Sequence, residues 1–247
     1  MKILIGSSAA KIHFPDFPRI PKDIDYVSKT KIEKADCHYT KAFDYLFDQN
    51  IEIASPDQLY TIKVAHSFWD IHWEKTMGDI LFFQSKNCNI NYEFFNLLYR
   101  DFEEIHGKKK INLNKPNEEF FNDYVGRKYP HDKIHYSLSY PDIPMYEKLK
   151  FDKSKAWIDR VLFEGLSYQD KIKACNEEIF SLMIERFLIP NNFEYSYSRA
   201  YMETVKLVIT QLTKGWFPLF IVENFNEFKV LKNDLMIEKF KSNIDDM

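Results

Sequence analysis

The N-terminal part of the chain joins a short apolar run to a Gly-Ser pair and then to two aspartates separated by one residue. Residues 3–5, Ile-Leu-Ile, precede Gly6 and Ser7, and Asp23 and Asp25 follow after a segment that contains three prolines. Alternate side chains of an extended strand point to the same face, so we expect the two carboxylates to lie side by side. Like charges at that separation repel each other, and a divalent cation between them removes the repulsion. The pattern predicts two strands joined through a helix, with a candidate cation site on the second strand.

The Gly-Ser pair is expected to open a helix over residues 6–12. Exposed backbone N–H groups at a helix start suit phosphate oxygens, and a small residue lets a phosphate approach closely. A Gly-Ser pair is also common after strands that bind nothing, and Asp23 and Asp25 equally suit a polar edge strand with solvated acids. Each motif taken alone therefore leaves a purely structural role open.

A third acid, Glu52, lies between two isoleucines in a predicted short strand, 51–54. Its side chain is expected to point away from these apolar neighbours. The position suits a solvent-facing residue, or a third group that contacts a metal or acts as a general base. Directly after it, Ser55 and Pro56 are a strong start signal for a helix that carries Lys63.

This order of features resembles the minimal nucleotidyltransferase superfamily, which has the DNA polymerase beta-like fold, and most closely the branch of the AbiEii and MenT toxins. The resemblance covers residues 3–83 and is carried by the Gly-Ser pair, the Asp-x-Asp motif and the capped helix. It implies an enzyme that moves a nucleotidyl group from a nucleoside triphosphate, such as ATP, to an acceptor and releases pyrophosphate.

The resemblance also assigns roles to individual residues. It implies that three residues bind the phosphates of the nucleotide: Gly6, Ser7 and Lys63. It implies that Asp23 and Asp25 bind Mg²⁺ or Mn²⁺, and that Glu52 helps to position or deprotonate the acceptor hydroxyl. Asp79, in a short stretch that begins at Lys75, partially matches a further acid of the family.

The partners implied by the resemblance are a nucleoside triphosphate, an acceptor and an antitoxin-like protein. The acceptor is RNA such as tRNA in the toxin branch, with a protein side chain or a small molecule as the alternatives. The enrichment in Lys, Ile, Asn and Tyr is typical of an AT-rich genome, and a phage or another mobile element would be a fitting source.

Composition restricts the classes of function that fit this chain. The formal net charge of −3 is not that of a protein that coats nucleic acid nonspecifically. The three cysteines are far apart and form no Cys-x-x-Cys pair. This argues against a disulfide framework and a cysteine-rich zinc site, and favours a reducing, cytoplasmic location. No apolar stretch approaches the roughly 18 residues of a membrane span, so no membrane partner is expected.

Periodicity predicts an α+β protein with two domains. Residues 1–108 are expected to combine strands with helices, and residues 109–247 to be mainly helical. The resemblance implies that the first domain is a nucleotidyltransferase-like mixed sheet with helices and that the second recognises the acceptor. Predicted helices cover the following ranges: 38–49, 55–70, 94–102, 116–125, 167–188, 195–213 and 217–243. Residues 126–145 are expected to be irregular. On the long helix, Glu178, Glu185 and Arg186 are expected to form surface ion pairs.

Two clusters that contain histidine are further candidates for a metal-binding site. His66 and Asp70 are four residues apart, which places them on one face of a helix that continues to Asp70. They suit a hydrogen bond on the helix surface or a metal pair. His131, Asp132 and His135 have the spacing of metal ligands on a helix and resemble part of the motif of HD phosphohydrolases. A structural or acceptor-binding role is the alternative for this second cluster.

Two other classes of function compete with nucleotidyl transfer. One is a non-catalytic protein that has a nucleotidyltransferase fold and acts as a binding module. It predicts that Asp23→Ala leaves the function intact. The other is a metal-dependent phosphohydrolase centred on the histidine cluster at 131–135. It predicts that His131→Ala abolishes activity and that Asp25→Ala does not.

Overall fold

The computed structural model describes residues 1–70, 72–107, 160–211, 216–232, 237–238 and 241. The chain divides into two compact units, Met1–Lys108 and Lys109–Met247. The first unit combines a small sheet with helices, and the described part of the second unit is helical. The predicted α+β class is therefore confirmed. Within the described ranges, no helix has the length and apolar character needed to cross a bilayer.

A three-stranded mixed sheet forms the edge of the first unit. Its strands, in spatial order, are β1 (Lys2–Ile5), β2 (Asp25–Ser28) and β3 (Asp36–His38). β1 and β2 are antiparallel and place Ile5 opposite Asp25, whereas β2 and β3 are parallel and place Asp25 opposite Asp36. The strand predicted at 51–54 is reduced to one parallel bridge, between Ile53 and Leu4.

Five α-helices and one short 3₁₀ helix complete the described part of the first unit. They are α1 (Gly6–His13), the 3₁₀ helix Lys41–Phe43, α2 (Asp44–Phe47), α3 (Pro56–Ser67), α4 (Trp73–Ser85) and α5 (Tyr92–His106). The predictions for α1, α3 and α5 are confirmed. The single helix predicted over 38–49 is wrong, because β3 occupies its start and two short helices occupy the rest.

The starts of α3 and α5 are fixed by side-chain caps. Ser55 Oγ accepts a hydrogen bond from the Gln58 backbone N–H at 3.3 Å, and Gln58 Oε1 accepts one from the Ser55 N–H at 2.7 Å. This reciprocal arrangement satisfies two N–H groups that the helix itself leaves unpaired. Asn91 Oδ1 caps α5 in the same way by accepting from the Phe94 N–H at 2.9 Å. The Ser55 cap determines where the helix that carries Lys63 begins, and the Asn91 cap determines where α5 begins.

The core of the first unit lies between the sheet and the long helices. Ile3, Val27, Val64, Ile80 and Leu98 are each fully buried and come from β1, β2, α3, α4 and α5. Burial of one such side chain stabilises the fold by about 1.5–3 kcal/mol. Because α3 contributes to this core along most of its length, its partly exposed side chains Lys63 and His66 are held in fixed positions.

The second unit is built from helices in its described part. They are α6 (Arg160–Glu164), α7 (Tyr168–Met183), a π-helix (Ile184–Leu188), a 3₁₀ helix (Ile189–Asn191), α8 (Tyr197–Gln211), α9 (Trp216–Glu223) and α10 (Phe225–Phe228). The predicted long helix over 167–188 is confirmed, and Ser167 Oγ caps it by accepting from the Asp170 N–H at 3.2 Å. The helix predicted over 195–213 is confirmed by α8, while the predicted ranges 116–125 and 126–145 lie outside the described residues.

The prediction that Glu178 lies on the surface of the long helix is wrong. Glu178 is fully buried, and so are Cys175 and Ile179, which lie three residues before it and one after it on α7. Burial raises the pKa of the Cys175 thiol well above its usual value, and Glu178 contributes to that shift. The charge pattern alone did not reveal that every residue of α7 from Glu177 to Met183 is buried.

Candidate functional site

A cavity of about 620 Å³ lies in the first unit. It is lined by the start of α1, the starts of β2 and α4, residues of β3, and the inward faces of α3 and α5. Five residues that the sequence analysis singled out for phosphate or metal binding line it: Gly6, Ser7, Asp23, Asp25 and Lys63. Asp79 and His66, which were further candidates, also line it.

Gly6 occupies a position that only glycine can fill. It follows β1 directly, and the register of the sheet places Ile5 opposite Asp25. Its φ of +68° lies in the left-handed region, which other residues rarely adopt. A Cβ added at Gly6 would overlap the Oδ2 atom of Asp25. The start of α1 therefore lies directly against the carboxylate of β2.

Asp23 and Asp25 flank the start of β2. The strand begins at Asp25, and Asp23 lies in a bend just before it, so the predicted strand over 23–28 is shorter than expected. The backbone carbonyl of Asp23 accepts a hydrogen bond from Ser8 Oγ at 3.2 Å, which ties the bend to α1. Asp23 is exposed and Asp25 is partly buried, and both line the cavity.

His38 pairs with one of the two carboxylates. Its Nε2 lies 3.2 Å from Asp25 Oδ1. The His38 hydrogen bond holds the pKa of Asp25 below its ordinary value, and the nearby charges of Lys63 and Lys75 act in the same direction. Asp25 in turn raises the pKa of His38. The pair therefore favours an ionised Asp25, which is the form that binds cations.

A buried carboxylate pairs with two cationic side chains in the wall of the cavity. The side chain of Asp79 on α4 is only 1% exposed. Arg19 Nε donates to Asp79 Oδ1 at 2.7 Å, Arg19 Nη2 donates to Oδ2 at 2.6 Å, and Lys63 Nζ lies 3.1 Å from Oδ2. Burial lowers the pKa of Lys63, and Asp79 opposes this shift. Asp79 thus holds both cations at the cavity wall.

His66 is enclosed one helical turn after Lys63. Its ring centroid lies 4.8 Å from that of Phe102. Burial lowers the pKa of His66 to about 3, and the charges of Lys63 and His38 contribute. The expectation that His66 shares a helix face with Asp70 is wrong, because α3 ends at Ser67 and Asp70 has a φ of +56°.

The structure does not bring Glu52 to the cavity. Its side chain is exposed, and its backbone carbonyl accepts a hydrogen bond from the Leu4 N–H at 2.8 Å. Glu52 lies on the β1 side of the sheet, whereas Asp25 lies on the neighbouring strand β2. His131, Asp132 and His135 lie outside the described residues.

The sequence analysis did not single out Arg19, His38 or Thr40, although all three line the cavity. Arg19 lies in the proline-containing loop after α1, His38 ends the unpredicted strand β3, and Thr40 follows it. Nothing in the local pattern marks Arg19, since its partner Asp79 is sixty positions away. The helix predicted over 38–49 begins at His38, so the position of His38 in a strand beside Asp25 was not predicted.

Few side chains of the cavity are placed to bind a metal ion. Among the described residues, no group of three or more His, Cys, Asp or Glu side chains is arranged to hold a metal ion. The three cysteines are free thiols, and Cys37 lines the cavity. Asp23 and Asp25 are therefore the carboxylates through which the cavity would hold a cation.

Comparison with known proteins identifies a family but no function. A model of a domain of unknown function (DUF7275) matches residues 58–242, which is more than half of the chain. The chain therefore belongs to this family. The matched span includes Lys63 and Asp79, whereas Gly6 and Asp25 precede it. No curated protein and no solved structure matches the chain.

Proposed function

We propose that the first unit transfers a nucleotidyl group from a nucleoside triphosphate to an acceptor hydroxyl, with Mg²⁺ or Mn²⁺ as the cation. The observation that carries this proposal is one cavity lined by the start of α1, by the carboxylates of Asp23 and Asp25, and by cationic side chains of α3 and α4. The proposal includes a nucleotidyltransferase-like fold for this unit. The order strand, Gly-Ser helix, second strand and capped helix supports it.

We assign the triphosphate to the start of α1. Gly6 and Ser7 line the cavity at the N-terminus of an eight-residue helix, where backbone N–H groups and the helix dipole favour an anion. The missing Cβ of Gly6 leaves room for the Asp25 carboxylate directly beside this helix start. Lys63 adds an ammonium group with three donors, and its side chain remains 18% exposed although Asp79 binds it.

The charge of the cavity wall supports a role for a divalent cation. The lining contains three cationic side chains and three carboxylates: Arg19, Lys63, Lys75, Asp23, Asp25 and Asp79. Because these formal charges sum to zero, the cavity wall has no excess positive charge to neutralise a polyphosphate. A polyphosphate would therefore have to bind together with a cation. Mg²⁺ is commonly bound by one or two carboxylates together with substrate phosphates and water. The carboxylates of Asp23 and Asp25 fit this mode of binding. When bound, the cation would neutralise developing charge on the phosphates.

The chain's own residues would position the reactants. An acceptor oxygen attacks the α-phosphorus, the bond to the β-phosphate oxygen breaks, and pyrophosphate leaves. The start of α1 and Lys63 hold the phosphates, while His38 and Gly6 fix the Asp25 carboxylate. Because Glu52 does not line the cavity, the proton of the acceptor passes to a cavity carboxylate or to water. The rate enhancement would come mainly from positioning and charge stabilisation.

The partners of this reaction follow from the resemblance and are part of the proposal. The acceptor is RNA such as tRNA, a protein side chain or a small molecule. The residues after 108 would recognise it, an antitoxin-like protein would regulate the enzyme, and the cytoplasm would be its location.

Transfer of label tests the proposal. Nucleoside triphosphates labelled at the α-phosphorus are incubated with Mg²⁺ or Mn²⁺ and with total tRNA, total protein or a small-molecule extract of cells. We expect label in one acceptor fraction with the wild type and none with Asp23→Ala/Asp25→Ala. Equal transfer by both proteins would contradict the proposal, and so would the absence of transfer with every nucleotide and acceptor.

A second candidate is a non-catalytic binding module. It is favoured by the small donor set and by the engagement of Asp25 with His38. This candidate predicts nucleotide-independent function that survives Asp23→Ala. A binding measurement distinguishes the two candidates, because only the nucleotidyltransferase requires cation-dependent binding of a nucleoside triphosphate.

A further inference from the structure

Part of the cavity wall is mainly apolar, and we call this part the apolar arm. It consists of Thr40, Phe43, His66, Phe102 and Ile105, all of which line the cavity. Phe43 and Phe102 are almost fully buried. The 3₁₀ helix that contains Phe43 is tied to α5, because the Ala42 N–H donates to Asp101 Oδ2 at 2.5 Å. The arm is therefore a fixed feature of the unit.

Two polar groups lie within this apolar wall. The Oγ1 atom of Thr40 is buried and has no hydrogen-bond partner among the described residues. A buried hydroxyl without a partner is destabilising, so a ligand atom that pairs with it is favoured. The imidazole of His66 likewise makes no hydrogen bond to a described residue, although the His66 backbone carbonyl accepts one from the Trp69 N–H at 3.1 Å. A neutral imidazole offers one donor and one acceptor.

The surroundings of these groups select the class of ligand. Aromatic and aliphatic side chains favour a flat ring that stacks or packs against them. The hydroxyl and the imidazole favour a ring with both donors and acceptors on its edge. A phosphate does not suit the apolar arm, because the arm contains no cationic side chain. The cavity volume of about 620 Å³ is that of a small-molecule site.

We propose that the apolar arm binds the nucleobase of the triphosphate, with the edge of the base on Thr40 and His66. This inference rests on the proposed function. His66 and Lys63 are three residues apart on α3, hence one turn apart on the same face. A single nucleotide can therefore reach the phosphate-binding end and the apolar arm together. Thr40 and His66 would determine which base is preferred.

Binding of two probes tests the inference. The affinities of the full chain for tripolyphosphate and for non-hydrolysable analogues of the four nucleoside triphosphates are measured by calorimetry with Mg²⁺. We expect at least one analogue to bind about tenfold more tightly than tripolyphosphate. We expect Thr40→Val and His66→Phe each to weaken that analogue by about fivefold, which is one hydrogen bond, and to leave tripolyphosphate unchanged. Unchanged tripolyphosphate binding also shows that each variant is folded.

Thr30→Val is the matched control. The Thr30 side chain is exposed near Ser28 and does not line the cavity, so its removal should change neither affinity. If tripolyphosphate binds but no analogue binds more tightly, the inference is overturned and the proposed function stands. Variants that change both affinities equally also overturn it. If no probe binds the wild type, the proposed function fails, and the inference fails with it.

Discussion

Gly6 and Asp25 lie in contact across the start of the sheet, with no room for a Cβ on Gly6 beside the Asp25 carboxylate. The contact joins the first residue of α1 to the first residue of β2, which are nineteen positions apart in the chain. In the proposed reaction these two residues belong to different parts of the site. Gly6 belongs to the phosphate-binding helix start, and Asp25 to the cation-binding pair. The contact between Gly6 and Asp25 therefore sets the distance between the phosphate-binding part and the cation-binding part of the site.

Gly6→Ala should destabilise the first unit. The new Cβ overlaps Asp25, and the left-handed backbone costs about 1–2 kcal/mol for a residue other than glycine. We therefore expect the free energy of unfolding to fall by about 2 kcal/mol or more, measured by urea denaturation.

Gly78→Ala is the matched control for this variant. Gly78 is exposed within α4, and a Cβ there meets no atom within 4 Å. Alanine in a helix interior should raise the stability by about 0.5–1 kcal/mol. A similar change in stability for both variants would show that the contact between Gly6 and Asp25 does not matter.

Asp79→Asn should also destabilise the unit, because it leaves Arg19 and Lys63 without their buried counterion. Removal of one partner of a buried ion pair costs about 3 kcal/mol. Asp16→Asn removes a carboxylate that is also 2.6 Å from its cation, Lys86, but lies on the surface. Solvent screens this second pair, so we expect little change in its denaturation midpoint. Equal midpoints for the two variants would contradict the account of Asp79.

The sequence predicted those parts of the site that local patterns determine. The helix at Gly6, the capped helix that carries Lys63, and the amphipathic helix α5 all follow from caps and periodicity. The place of Asp25 beside Gly6 was not predicted, because it depends on the pairing of β1 with β2. The site residues Arg19, His38 and Thr40 were not predicted, since each acquires its place from contacts between distant segments rather than from its neighbours in sequence.

His66 should make the stability depend on pH. Its pKa is about 3 in the folded chain, against an ordinary value of 6.5. Between these values the unfolded chain binds a proton that the folded chain does not, so the free energy of unfolding falls as the pH falls below 6.5. One proton corresponds to about 1.4 kcal/mol per pH unit.

The His66→Gln variant isolates this contribution. Urea denaturation of the wild type and the variant at several pH values between about 4 and 7.5 gives the two slopes. We expect the free energy of unfolding to change less steeply with pH in the variant than in the wild type. The difference in slope should be at most about 1.4 kcal/mol per pH unit, the value for one proton. Parallel slopes would mean that His66 titrates alike in the folded and unfolded chains.

Glu52→Gln should leave nucleotidyl transfer nearly unchanged. Glu52 is exposed, and only its backbone carbonyl is engaged by β1, through the hydrogen bond from Leu4. The measurement is the initial rate of label transfer to the acceptor fraction identified with the wild type. A loss of about a hundredfold or more would restore Glu52 as a third catalytic carboxylate.

The central claim is that Asp25 acts at the site of nucleotidyl transfer, and the most direct measurement compares Asp25→Asn with Asp36→Asn. Asp36 lies opposite Asp25 on β3 but does not line the cavity. With labelled nucleoside triphosphate and Mg²⁺, we expect Asp25→Asn to lose about a hundredfold or more of the transfer rate and Asp36→Asn to stay near the wild type. Transfer by Asp25→Asn at the wild-type rate, or an equal loss in both variants, would contradict the claim.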